Sequence, residues 1–140
     1  MDLLTSITTG SGASLVVAIV LLPIWNFCAR RFNATTQSPW RVMTIRGEVV
    51  YLSWHMLAGA TQGFLFWLTW GFAALNMTSW WSHGIIVGLA YALLLILPML
   101  GITTAIAKIS RTTGLVLMTE MFLTSMIVGM ACSWNWMHVR

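Results

Sequence analysis

Apolar residues in this chain gather in four long runs separated by shorter polar stretches. The runs span roughly residues 13–29 (ASLVVAIVLLPIWNFCA), 49–75, 84–107 and 114–134. A helix needs about 20 mostly apolar residues to cross the hydrocarbon core of a bilayer, and each run meets that length within a few residues. The second run carries His55 and Gln62, the third carries no charge, and the fourth carries Glu120. The pattern predicts an all-α polytopic membrane protein, a single domain folded as a four-transmembrane-helix bundle. The stretch before the first run, with its GSGAS sequence, reads as a flexible start. It holds only Asp2 as a charge over Met1 to Ser14, so it lacks the basic region of a secretory signal.

Composition supports the same class. Hydrophobic residues make up 59% of the 140 and charged residues 7%, against about 25% charged in soluble domains. So few charges cannot cover a water-facing surface. The net charge of +4 would point to nucleic acid in a soluble domain, but here the basic residues sit at the ends of apolar runs, where they set topology and meet lipid headgroups. Nucleic acid is therefore not an expected partner. Arg30, Arg31, Arg41 and Arg46 occupy the first connection, Lys108 and Arg111 the third, and only Arg140 lies elsewhere. The positive-inside rule makes the side with six basic residues cytoplasmic, giving an N-out, C-out protein with a basic cytoplasmic first connection. An inner-membrane, multi-pass location follows. Trp67, Trp70, Trp80, Trp81, Trp134 and Trp136 map near the outer face as an aromatic belt. Cys28 and Cys132 fall at opposite faces, too far apart for a disulfide.

Two local features stand out. Ser38-Pro39 reads as an N-cap with proline in the first turn, and residues 39–47 then interleave apolar and basic side chains as a short interfacial helix would. AIVLLPIW in the first run matches LLLILPML in the third. This is the mark of a duplicated hairpin related by an axis along the membrane normal.

Small residues at four-residue spacing let lipid-embedded helices approach closely. Gly59 and Gly63, Gly84 and Gly88, and Ser125 and Gly129 have that spacing and are expected to pack helices together. His55 and Glu120 are the ionisable groups within the runs, and such residues are functional candidates by default. Both lie roughly 10–12 Å from the basic side at the α-helical rise, on helices running in the same direction, so their side chains can meet at one depth, and the sequence leaves open whether they pair. Glu48, His55, Gln62 and Thr69 recur every seven residues and share one face, which should look into the bundle. The bland function of this polar network is to fix helix register through interhelical hydrogen bonds. The alternatives are a proton or ion path, or a ligand site.

No metal site is expected. His83 and His138 both map near the outer face, where they would have to converge to hold a haem or chlorophyll-type pigment. Met77, Met130, Cys132, Met137 and His138 include ligand types that suit Cu(I), but methionine in an apolar chain is mostly a packing residue. No cofactor is predicted. HExxH, P-loop and GxSxG sequences are absent, and no catalytic residue is assigned.

His55, Gly59, Gly63, Gly84, Gly88, Pro98, Gly101 and Gly129, spread over Tyr51 to Met130, resemble the His-x3-Gly-x3-Gly second helix and glycine-bearing later helices of small bacterial inner-membrane proteins with four helices. The resemblance implies a bacterial four-helix membrane protein and no activity. Three function classes follow from the sequence. The first is a non-catalytic accessory or scaffold subunit of a membrane complex, partnered by the bilayer and by other membrane subunits or copies of itself. The second is a small oligomeric transporter or proton/ion-path component using His55 and Glu120. The third is a haem- or pigment-binding subunit.

Overall fold

α1 (Leu3–Phe32) starts at Leu3 rather than at Ala13, because small polar residues in its first turns are satisfied within or between helices. Thr8 Oγ1 donates to the Leu4 carbonyl at 2.9 Å, and Ser6 Oγ to the Gly63 carbonyl at 2.6 Å. The GSGAS stretch is therefore part of a helix and not a flexible start. In this computed structural model, residues 2–32, 44–73, 79–106 and 111–138 are described. After α1 come α2 (Ile45–Ala73), α3 (Trp80–Tyr91), a π-helical turn (Ala92–Ile96), α4 (Leu97–Ile106) and α5 (Arg111–His138). Of the interfacial helix expected over 39–47, Ile45 to Gly47 belong to the first turn of α2 and Thr44 stands just before it, while residues 39–43, with Arg41, lie outside the described residues, as does Lys108. Arg30, Arg31 and Arg111 lie in the helical backbone of α1 and α5, and Arg46 is exposed at the start of α2.

α3, the π turn and α4 follow one another without a break. Pro98 has no N–H for the Leu94 carbonyl and its ring crowds that carbonyl. The register slips by one residue just ahead of it, with the Leu97 N–H bonded to the Ala92 carbonyl. Among the described residues, three stretches are long and apolar enough to cross a membrane: Leu3–Phe27, Trp80–Ile102 and Gly114–His138. α2 is 29 residues long but carries Glu48, His55 and Gln62 and is not among the three. Large apolar side chains such as Val16, Val20, Leu94, Ile102 and Leu115 face outward, as they would in lipid.

Two tight helix pairs make up the bundle. α1 packs against α2 along Ser6, Gly10 and Ser14, which face Gly63, Gly59 and His55. A Cβ on Gly10 would overlap the Gly59 carbonyl oxygen, and one on Gly63 would overlap the Ser6 carbonyl oxygen. α3 packs against α5 in the same manner, with Ser125, Gly129 and Ser133 facing Gly88, Gly84 and His83. A Cβ on Gly88 would stand 2.7 Å from the Ser125 carbonyl oxygen, and one on Gly129 would overlap that of Gly84. Each pair is closed by two corresponding hydrogen bonds. A serine hydroxyl donates to a glycine carbonyl, Ser6 to Gly63 at 2.6 Å and Ser125 to Gly88 at 3.0 Å. A second serine meets a histidine Nδ1, Ser14 with His55 at 3.4 Å and Ser133 with His83 at 2.8 Å.

This correspondence relates α1 to α5 and α2 to α3. α1 and α5 run antiparallel, since Thr9 meets Asn135 while Leu21 and Leu123 line one cavity further along. The two seams are thus inverted relative to one another. The packing repeat differs from the one expected from the proline-bearing runs, which matched the first helix to the third. Between the pairs lies the apolar core of Phe66, Val87, Tyr91, Val128 and Cys132.

Candidate functional site

His55 on α2 and Glu120 on α5 are brought together where the two pairs meet. His55 Nε2 lies 3.1 Å from Glu120 Oε1, and the residues are only 1% and 7% exposed. The helix directions and depths deduced from the sequence account for this meeting. Tyr51, one turn before His55 on α2, donates its hydroxyl hydrogen to the same carboxylate oxygen, and its ring lies 4.6 Å from the His55 ring. On the far side of the imidazole is Ser14 of α1. Three helices therefore contribute to one chain of polar groups, Ser14–His55–Glu120–Tyr51.

Donor and acceptor roles follow from the chemistry of each group. The Tyr51 hydroxyl has one hydrogen and gives it to Glu120. When His55 is neutral and Nε2 carries its hydrogen, that N–H donates to the carboxylate and Nδ1 accepts from the Ser14 hydroxyl. When His55 is protonated, both ring nitrogens donate and Ser14 Oγ accepts. The chain closes in either state.

The rest of the polar stripe on α2 is divided among separate partners. Glu48 Oε1 accepts from Asn26 Nδ2 of α1 at 3.2 Å. Gln62 is 6% exposed, and its Oε1 has no hydrogen-bond partner among the described residues. Thr69 meets the Tyr91 hydroxyl at 2.7 Å. The stripe does face inward, but Gln62 does not join the His55–Glu120 pair. On α5, Thr124 turns its hydroxyl back to the Glu120 carbonyl at 2.8 Å.

The other histidines part company. His83 is 1% exposed, bonded to Ser133 and 5.8 Å from the Phe66 ring, so it is a buried residue of the α3–α5 seam and not a wet interfacial one. His138 is exposed, bonded to the Trp134 carbonyl and stacked on its indole. The structure thus sets His83 and His138 in different surroundings. Among the described residues no three His, Cys, Asp or Glu side chains gather as a metal site would require. Cys132 is buried, with its thiol 3.9 Å from the Ser6 carbonyl. The packing residues Gly59, Gly63, Gly84, Gly88, Ser125 and Gly129 all lie in the two seams. Sequence reading missed their partners on α1, Ser6, Gly10 and Ser14, although the spacing was there to be seen.

The bundle surface carries an apolar groove between α1 and α5. One cavity of about 610 Å³ is lined by Thr9, Gly12, Ala13, Val16, Ile127 and Ala131, with Trp80, Trp134 and Asn135 at one end. A second of about 280 Å³ continues it past Val16 and Ile127 to Leu21 and Leu123. No protein-family model, curated protein or solved structure matches this chain.

Proposed function

We propose that this chain is a multi-pass protein of a bacterial inner membrane that serves as a non-catalytic accessory or scaffold subunit of a larger membrane complex. In this reading it crosses four times, with α2 as the polar-striped span and both ends on the outer side. Arg30, Arg31, Arg41, Arg46, Lys108 and Arg111 lie at cytoplasmic headgroups, consistent with the positive-inside rule. One observation carries the functional part. The described polar groups in the interior are bonded largely to one another, whereas the receptive feature, the α1–α5 groove, opens sideways and is lined almost wholly by apolar side chains. Such a protein meets partners laterally, in the plane of the membrane. The partner is another membrane subunit or a second copy of this chain, as small-residue faces permit.

Native mass determination after extraction in mild detergent tests the reading. A particle well above the 15.6 kDa of the chain, carrying other subunits or further copies, is expected. A lone 15.6 kDa protein with only bound lipid and detergent would refute it.

A further inference from the structure

The two helix pairs are each locked backbone to backbone, whereas the hydrogen bonds that join one pair to the other run mainly between side chains. Glu120 reaches Tyr51 and His55 at one end, and Asn135 Nδ2 donates to Thr9 Oγ1 at 2.6 Å at the other. Glu120 and Asn135 are roughly 22 Å apart along α5 at the helical rise. Thr69 of α2 also meets the Tyr91 hydroxyl of α3 at 2.7 Å. All three junctions are polar, but only the Glu120 junction brings a carboxylate and an imidazole together. Its titratable members are Tyr51 and His55 from α2 and Glu120 from α5. α1 presents Ser14 there, and the described residues of the π turn and α4 present no titratable side chain.

We infer that His55, Glu120 and Tyr51 form a proton-binding site, and that its occupancy sets how the α1–α2 pair meets the α3–α5 pair. This goes beyond the accessory-subunit reading and does not depend on it. With one proton shared between His55 and Glu120 and the tyrosine neutral, the cluster has no net charge. It is then either a neutral histidine with a neutral acid or an imidazolium with a carboxylate. Release of that proton to water leaves one net negative charge among apolar side chains, and uptake of a second leaves one positive. Burying a net charge costs far more than burying a satisfied neutral pair. Either change therefore favours admitting water where α2 meets α5. The glycine seams hold each pair rigid, since a helix cannot slide where two backbones touch. Relief must then come as movement of one pair against the other, hinged at the Thr9–Asn135 end. Inverted helix pairs that move as rigid bodies around a charged site are a known way for membrane proteins to couple ion binding to shape.

Distance measurements between paired spin labels test this on the full chain in lipid nanodiscs, with Cys28 and Cys132 replaced by alanine. Labels at Val50 and Leu115, both outward-facing, span the two pairs. Labels at Ile24 and Val50 lie within one pair and serve as the control. The Val50–Leu115 distance should shift by about 1–2 Å or more between about pH 5 and pH 9, while the Ile24–Val50 distance stays fixed. Glu120→Gln combined with His55→Gln, which leaves the cluster no carboxylate or imidazole to titrate, should abolish the shift. An unchanged Val50–Leu115 distance in the parent, or a shift that persists in the double variant, would overturn the inference. If the double variant does not fold, the parent decides it. The carboxylic-acid infrared band and the ¹⁵N signals of the His55 ring should change together over that pH range, and constancy of both would equally overturn it.

Discussion

Gly10 and Gly12 lie close together on α1, yet alanine at the two positions should act in opposite directions. A Cβ on Gly10 would overlap the Gly59 carbonyl oxygen and stand 3.0 Å from the Gly63 Cα and N. All three are backbone atoms, so nothing can rotate out of the way and α1 must lift from α2. That lift weakens the Ser6–Gly63 and Ser14–His55 hydrogen bonds on either side of it. Overpacking costs about 1–3 kcal/mol, and the rigid neighbours put Gly10→Ala near about 3 kcal/mol. Alanine regains about 1 kcal/mol of helix propensity, leaving a net loss of about 2 kcal/mol. On Gly12 the same Cβ meets nothing within 4 Å. Propensity alone remains, and Gly12→Ala should gain about 1 kcal/mol. The two variants should differ by about 3 kcal/mol. Reversible unfolding in mixed micelles with rising dodecyl sulfate, followed by the fluorescence of the nine tryptophans, reads the difference directly. Equal stability of the two variants, or Gly10→Ala as stable as the parent, would refute the close approach of α1 and α2.

Further outcomes follow from single contacts. Glu120→Leu leaves the Tyr51 hydroxyl and His55 Nε2 without their acceptor and should lose about 2–3 kcal/mol. Glu120→Gln, which keeps an acceptor oxygen, should lose about 1 kcal/mol in the same unfolding assay. Ser125→Ala removes the donor to the Gly88 carbonyl and should cost about 1 kcal/mol; Ser6→Ala should match it if the two seams are equivalent. At the N-terminus, the Thr5 N–H donates to Asp2 Oδ1 at 2.7 Å and holds that carboxyl below its ordinary value of 3.8. A depressed acid stabilises the fold above its unfolded value, and that contribution disappears as pH falls through the folded one. Amide-exchange protection at Thr5 should therefore fall on acidification beyond the intrinsic effect, and Asp2→Asn should remove that dependence.

Much of this molecule is legible in the order of its residues, for reasons that can be traced. The apolar runs had to be helices, because backbone groups in hydrocarbon must satisfy themselves. His55 and Glu120 share a depth because helical rise converts sequence position into height. The inward face of Glu48, His55, Gln62 and Thr69 follows from their seven-residue spacing. The misses have equally definite causes. Hydropathy discounts serine, threonine and glycine, so the first turns of α1 read as a loose tail. Their value lies in small volume and short hydroxyls, which show only against the glycines of α2. Tyr51 carries no signal of its own, since its hydroxyl matters only once α5 stands opposite. His83 seemed interfacial beside Trp80-Trp81, but Ser133, fifty positions away in sequence, gives it a buried partner. The π turn answers Pro98, and a proline announces a disturbance in a helix without specifying its form.

The four-span topology requires α2 to cross the bilayer despite its polar stripe. Single cysteines at Arg46, Ser79 and His138, in a chain with Cys28 and Cys132 replaced by alanine, can be labelled with a membrane-impermeant thiol reagent from each side of oriented vesicles. The cysteine at position 46 should react from one side only, and those at 79 and 138 only from the other. Reaction of positions 46 and 79 from the same side would mean that α2 does not span, and the bundle proposed here would be contradicted.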